Sequence, residues 1–369
     1  MRIASYNVEN FFARARVLNM DDHADAKPYL TAYATLSALL EQDTYSAADQ
    51  TRIVALLDTL GLKHSDEAAL AVLRQVRGRL VSRTSTGVHV VAGGRGDWVG
   101  WVELTREPVD DRAILNTARV VRDVGATVQG VVEAEDRVVL KRFADAELRG
   151  GDTPLYPHVM LVDGNDDRGI DVGLLARDGW PITGIRSHVD DSDDEGPVFS
   201  RDCPEYEIRS PGGHRLVVLV NHLKSKGYGR QQDNDARRRR QASRVAEIYR
   251  GLRATGVSYV AVLGDLNDTP DSTTLQPLLG GTDLRDVSEH PSFDDGGRPG
   301  TYGSCTARNK IDYVLLSPSL FAKVRAGGIW RLGAWGGTRG TLWPHYDTLT
   351  RASEAGSDHC AIWADVALT

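Results

Sequence analysis

Short apolar runs that end in polar residues fill the chain from Arg119 onward, and they restrict its fold more than any other feature. Thr127 to Val132, Asp171 to Ala176, Leu216 to Val220, Tyr259 to Leu263, Ile311 to Leu316 and Ala361 to Ala367 each read as a buried strand. Continuous apolar runs of this length suit strands covered on both faces. Between two of them, Ala242, Val245, Ile248, Tyr249 and Leu252 recur at helical spacing. Arg2 to Asn7 reads as a further short strand. Strands alternating with helices predict an α/β domain.

The stretch from about Ala13 to Ala118 has a different character. Ser46-Ala47-Ala48-Asp49 is a helix start, with Ile53, Leu56, Leu57 and Leu60 behind it and Gly61 as the stop. A second helix is expected over Asp66 to Arg77, with Leu70 and Leu73 on one face. A hairpin is expected from Val88 to Ala92, through Gly93-Gly94-Arg95-Gly96, to Trp98 to Leu104. Trp98 and Trp101 fall on opposite faces of any regular strand, so they cannot form one stacking platform. No repeat or low-complexity linker divides the chain. The reading is one catalytic domain over 1–369 with an insertion at 13–118.

With 369 residues and 41% apolar content, the chain can bury a large core. No apolar run approaches the ~20 residues of a spanning helix. The opening Met1-Arg2-Ile3-Ala4-Ser5-Tyr6-Asn7 has no apolar signal-peptide core, so a cytoplasmic setting is expected. Three cysteines, Cys203, Cys305 and Cys360, are too few and too scattered for a disulfide framework or a zinc site. The net charge of −7 argues against a surface coated for nucleic acid, but a cleft alone needs to be positive. Ten Lys or Arg residues between Lys224 and Arg253 face only three acids there, and Arg237 to Arg240 stands at the start of the Ala242 to Leu252 helix. A solvated helix face explains the run at least as well as a phosphate track. Asp190 to Glu195 is an acidic run best read as a solvated loop.

Residues ill-suited to a core stand at the strand ends. Asn7 ends the first run, Glu133 follows Val132, and His222 follows Asn221. Asp265 and Asn267 follow Gly264, Asp312 opens another strand, and Asp358-His359 precedes the final one. Strand ends of α/β sheets are where ligands and catalysis are housed. Carboxylates and an amide oxygen are hard ligands that suit Mg²⁺ or Mn²⁺. An Asp–His pair supplies a histidine of fixed tautomer. The inventory describes hydrolysis of a phosphoester, and no Walker lysine motif points to nucleotide-driven work.

The motifs in order are Tyr6-Asn7-Val8-Glu9-Asn10, Glu133-Ala134-Glu135-Asp136, Arg168-Gly169-Ile170-Asp171-Val172, Asn221 to Lys226, Gly264 to Pro270, Ile311-Asp312-Tyr313-Val314-Leu315 and Ser357-Asp358-His359. This order resembles the endonuclease/exonuclease/phosphatase superfamily, whose members include pancreatic deoxyribonuclease, abasic-site endonucleases, inositol polyphosphate phosphatases and bacterial sphingomyelinases. The wording of Asn221 to Gly227 is most similar to bacterial extracellular-type nucleases. The resemblance covers 1–12 and roughly 119–369. It implies a four-layer α/β/β/α sandwich of two packed mixed sheets, here with a largely helical insertion carrying a β-hairpin. It also implies Asn7 and Glu133 as ligands of Mg²⁺ or Mn²⁺, with Asp358 near the metal or orienting His359. By the same resemblance Asp265 is expected to orient or deprotonate the attacking water, and Asn267 to hold the phosphate. His359 resembles the catalytic histidine paired with Asp312, and His222 the phosphate-binding histidine that helps protonate the leaving oxygen. Arg201 and Lys224 are the implied substrate contacts. Whether Asp265 or His359 is the base stays open, and Glu135 rivals Glu133. The insertion departs from the family, since Asn7 and Glu133 lie more than a hundred positions apart.

The leading expectation is a metal-dependent phosphodiesterase acting on DNA or RNA, with nucleic acid as partner and neither membrane nor protein partner implied. The alternatives are a phosphatase or phospholipase on a small phosphorylated or lipid head group, and a catalytically inactive scaffold. Trp335, Trp343 and Tyr346, among glycines ahead of Ser357, are candidates for substrate contact.

Overall fold

In the computed structural model, 1–9, 13–19, 23–108, 110–166, 168–227 and 230–369 are the described residues. Asn10, at the end of the first motif, lies outside them. The chain divides into two compact units: Met1–Phe12, Val109–Ser225 and Asn234–Thr369 form one, and Ala13–Pro108 with Lys226–Asp233 the other.

The first unit holds two mixed sheets. One has seven strands, in the order His158–Val162, Asp171–Ala176, Val128–Ala134, Arg2–Asn7, Ala361–Val366, Val324–Trp330 and Phe293–Asp294. The other has six: Ile182–Arg186, Glu205–Arg209, Arg215–His222, Tyr259–Asp265, Asp312–Leu316 and Arg285–Asp286. All six runs expected as buried strands are strands. Ile3, Val128, Val172 and Ile362 of one sheet share a buried core with Val218, Leu263 and Val314 of the other. Their outer faces are covered by helices. Asp111–Val124 and Arg137–Glu147 pack on the first sheet through Val120, Val121, Leu140 and Phe143, and Gln231–Ala254 packs on the second through Val245 and Tyr249. The result is the α/β/β/α sandwich. Both shorter helices begin at an aspartate, Asp110 and Asp136, whose carboxylate accepts a backbone N–H of the first turn.

Strand periodicity explains how this sandwich presents polar side chains at one edge. Leu216, Val218 and Val220 face the inter-sheet core, and His222 continues that face. Ala261 and Leu263 lead in the same way to Asp265, Ile3 shares parity with Asn7, and Val314 and Leu316 share it with Asp312. Glu133 breaks the rule. Val132 faces the inter-sheet core, so a regular strand would turn Glu133 toward the helices. The register with the neighbouring strand shifts here: Val172 pairs with Val132, and Asp171 with Ala134. Glu133 is the extra residue of a β-bulge, with φ of 69°, and such bulges re-aim a side chain.

The second unit has its own core, including Leu36, Leu40, Ile53, Leu57, Leu73 and Trp98. Helix Ala47–Thr59 begins at Ser46 with a full capping box to Asp49. Two expectations fail here. The segment expected as a helix over Asp66 to Arg77 contains the strand Ala71–Arg77, paired antiparallel with Val99–Leu104. Ala71 and Leu73 are buried at alternate positions, a period-2 pattern that the Leu70/Leu73 spacing disguised. The hairpin expected over 88–104 is also absent. Gly87–Val90 pairs instead with Val81–Thr84. Gly93 and Gly94 serve a close approach to another segment: Tyr45 N–H donates to Gly93 O at 2.7 Å. A Cβ on Gly94 would stand 1.8 Å from Asp43 O. Trp98 is buried, donating to Tyr45 Oη at 3.1 Å, whereas Trp101 is exposed. Among the described residues, no helix is long and apolar enough to cross a membrane.

Candidate active site

The two sheets bring their polar strand ends together. In the six-stranded sheet His222 pairs with Asp265, and Asp265 pairs with Asp312, so three adjacent strands deliver one residue each at the same level. In the other sheet, Asn7 pairs with Val132, beside the bulged Glu133. Gly264 permits this packing, since a Cβ there would meet Asn221 O at 1.9 Å.

Asp265 is the hub. Its Oδ2 accepts from Asn7 Nδ2 at 3.2 Å, and its Oδ1 accepts from Asn267 N–H at 2.8 Å. The same Oδ2 lies 3.8 Å from His222 Nε2 and 3.8 Å from His359 Nε2. His222 Nε2 is also 3.6 Å from Glu133 Oε1. These separations exceed hydrogen-bond length, so the side chains converge on one point without bonding one another directly. On the far side of its ring, His359 Nδ1 lies 2.8 Å from Asp312 Oδ2, and that oxygen also accepts from Thr301 Oγ1 at 2.6 Å. Asn267 donates from Nδ2 to Leu223 O at 3.1 Å. Asp358 Oδ1 is 3.8 Å from His359 Nε2, and the Asp358 N–H donates to Glu9 Oε2 at 2.9 Å.

The two histidines end with opposite electrostatics. Burial works against charge on His359, yet the adjoining Asp312 carboxylate outweighs it and raises the pKa well above the ordinary value. His222 is pushed well below, by burial and then by the charges of Arg168, His359 and Lys224. Burial raises Glu133, and burial with the neighbouring Asp312 raises Asp265 well above the carboxylate range. Two buried carboxylates held uncomfortably as anions, with the Asn7 amide beside them, are the donor set a hard divalent cation stabilises. Oδ1 of Asp312 and Nδ1 of His222 are buried without a hydrogen-bond partner. Asp265, Asp312 and His359 can also place one ligand atom each within 4.8 Å of one another. The residues fit a metal ion. Backbone strain is concentrated here too: of the four non-glycine residues with left-handed φ among the described residues, Glu9, Glu133 and Asn267 belong to this site.

The flanking residues sort differently from their sequence neighbours. Arg201 is buried with Nε 2.9 Å from Asp166 Oδ2. The arginine whose charge acts on Glu133 and His222 is Arg168, itself paired with Asp166 at 2.9 Å. Lys224 is lowered to about 8 by burial and then by Arg168 and Arg237. Arg168, Glu9, Thr301 and Tyr302 were not singled out from the sequence. Arg168 and Glu9 stand inside quoted motifs, whereas nothing local marks Tyr302, whose ring lies 4.9 Å from that of His359. The basic run is mostly consumed internally. Arg238 is fully buried, with Nη2 3.0 Å from Asp268 Oδ2. Arg240 pairs with Asp193 and Glu195, and Arg244 with Asp191. The acidic loop is thus the partner of the basic helix. Tyr346 is buried and bonded to Trp330 and Asp123, while Trp343 packs beside Cys305 and Cys360.

The family model for the endonuclease/exonuclease/phosphatase family matches residues 109–294, half of the chain. The chain belongs to this family. Its members are metal-dependent phosphoester hydrolases. No curated protein sequence matches the chain. Among solved structures, a mannosyl-6-phosphatase from Bacteroides thetaiotaomicron is similar over 70% of this chain and 90% of its own, with 16% identity and a TM-score of 0.50. The human nocturnin catalytic domain is similar over 71% of this chain and 89% of its own, with 13% identity and a TM-score of 0.48. TDP2 from Caenorhabditis elegans covers 69% and 70% respectively, at 18% identity and a TM-score of 0.47. At these identities the likeness is one of fold.

Proposed function

We propose that this chain is a divalent-metal-dependent phosphodiesterase that hydrolyses nucleic acid. The observation that carries the reading is the meeting of Asp265 with His222 and His359, each 3.8 Å away, at the ends of neighbouring strands. A phosphoryl group bound over these three side chains would meet a proton acceptor and two imidazoles at once. Asn7 and Glu133 would hold Mg²⁺ or Mn²⁺, with Asp358 nearby, and the ion when bound polarises the phosphoryl oxygens and offsets developing negative charge.

The protein's own groups divide the remaining work. Asp312 fixes the His359 tautomer through Nδ1 and keeps the ring protonated, so Nε2–H faces the phosphate as a cationic donor. With His359 carrying its proton, Asp265 is the group that takes a proton from water, and its raised pKa makes it the stronger base. His222, held neutral, supplies a hydrogen bond to a phosphate or leaving oxygen. Asn267, positioned by its backbone bond to Asp265 and its amide bond to Leu223, orients the phosphate. Lys224 feels the charges of both Arg168 and Arg237, and this gathering of cations supports a substrate carrying further phosphates along a backbone.

The purified protein should be assayed with Mg²⁺ or Mn²⁺ on labelled duplex DNA, single-stranded DNA, RNA, a generic aryl phosphodiester and a phosphomonoester. Cleavage of at least one nucleic acid well above the monoester is expected. Hydrolysis of the monoester alone would replace this reading with a phosphatase. A folded protein inert on every substrate would make it a scaffold.

A further inference from the structure

Two of the three cysteines, scattered in sequence, meet in space. Cys305 Sγ and Cys360 Sγ lie 3.5 Å apart although 55 positions separate them. Both are buried, in a small cluster with Ala334 that Ile329 and Trp343 cover. The third, Cys203, belongs to a different core cluster. The two segments carrying the pair are already laced together by backbone bonds. Cys360 N–H donates to Thr301 O at 2.7 Å, Gly303 N–H donates to Asp358 O at 3.1 Å, and Tyr302 forms a bridge with His359. Cys305 N–H donates to Tyr302 O at 2.9 Å, and Gly300 N–H donates to Cys305 O at 3.0 Å. Cys305 takes a left-handed φ of 53°, which sets its side chain across this ladder from Cys360.

We infer that Cys305 and Cys360 form a modification site: an intramolecular disulfide that ties the segment 301–305 to the segment 358–360. A disulfide bond measures ~2.05 Å, so the sulfur atoms must close by roughly 1.5 Å, a movement within reach of small χ1 changes at both residues. Segment 301–305 supplies the hydroxyl bonded to Asp312 and the ring against His359, and segment 358–360 supplies His359 itself. The cross-link therefore spans the two segments that hold the Asp312–His359 pair.

The oxidant must be small, because both sulfur atoms are buried; hydrogen peroxide meets that requirement. The Cys305 sulfur attacks one peroxide oxygen, the O–O bond breaks, and the departing hydroxide takes the thiol proton to leave as water. Cys305 is then a sulfenic acid. The Cys360 sulfur displaces its hydroxyl, which leaves as a second water with the Cys360 proton, and the S–S bond forms. Two thiols and one peroxide give one disulfide and two waters. The same balance holds with the two cysteines exchanged.

The test exposes the full-length folded protein to a small excess of hydrogen peroxide, alkylates remaining thiols after denaturation, and maps peptides without reduction. The expected product joins the Cys305 and Cys360 peptides, leaves Cys203 alkylated, and reverts with dithiothreitol. Closing a loop of this length should raise the Tm by several degrees, in the wild type and in Cys203→Ser but not in Cys305→Ser or Cys360→Ser. Alkylation of Cys305 and Cys360 after oxidation, their separate conversion to sulfinic acids, or pairing of either with Cys203 would overturn the inference. The peptide map of the wild type decides the matter even if a variant folds poorly.

Discussion

One carboxylate oxygen, Asp312 Oδ2, anchors the His359 ring at 2.8 Å while Thr301 Oγ1 holds the same oxygen at 2.6 Å. The hydroxyl aims the acid, and the acid fixes the imidazole. His359→Ala should lower kcat by ~10²-fold or more, the scale of losing one preorganised donor to developing charge. Asp312→Asn should be impaired in the same direction, and Thr301→Val more mildly, with KM little changed. Full activity in His359→Ala would remove the charged ring from the mechanism.

Glu133 is set by its bulge to face Asn7 and His222, and a cation there needs its charge. Glu133→Gln should keep the far-ultraviolet circular dichroism of the wild type while activity falls by orders of magnitude. Excess Mn²⁺ should rescue it only in part. A wild-type rate in this variant would transfer the ligand role to Glu135.

His188 is gripped from both sides, Nδ1 by Asp191 and Nε2 by Glu205, each at 2.8 Å. Burial disfavours its charge, but the two carboxylates prevail and raise its pKa. A raised folded-state pKa adds stability that is fully present below the unfolded value of about 6.5 and is lost as pH rises through the folded one. The Tm advantage of wild type over His188→Gln should therefore be largest near pH ~6 and shrink at alkaline pH. A gap that does not change with pH would show that the two carboxylates do not keep the ring charged.

Arg238 and Arg239 adjoin in sequence but should respond in opposite ways. Buried Arg238 is shared by Asp235 and Asp268, and removing the buried partner by Asp268→Ala should cost about 1.5–3 kcal/mol, seen as a Tm lower by roughly 2–6 °C. Arg239 is exposed and donates to Thr273 O. Arg239→Ala should stay within about 0.5 kcal/mol of wild type. Equal losses in thermal melts would contradict the buried pairing.

Most of the catalytic sheet was readable from sequence because each strand carries its own signal. An apolar run followed by a single polar residue marks both the strand and the end that faces the site, as at Val220 to His222 and Leu263 to Asp265. Features that depend on pairing across the chain were not readable. Nothing local separates the Ala71–Arg77 strand from a helix, because its partner, Val99–Leu104, decides the matter. Glu133 was placed by following an apolar run, yet its direction comes from a bulge against Asp171 and Val172. The charge runs at 190–195 and 237–244 each read as solvated surface and turn out to neutralise one another.

The placement of Arg2–Asn7 governs the order in which this chain can assemble. Its antiparallel neighbour is Ala361–Val366, and the Arg2–Asp365 bond joins positions 363 residues apart. A ribosome must make nearly all of the described chain before the middle of the seven-stranded sheet can zip. Until then the strand bearing Asn7 has an open edge, so high contact order should make closure slow. During synthesis that edge is also the place most exposed to pairing with the wrong chain.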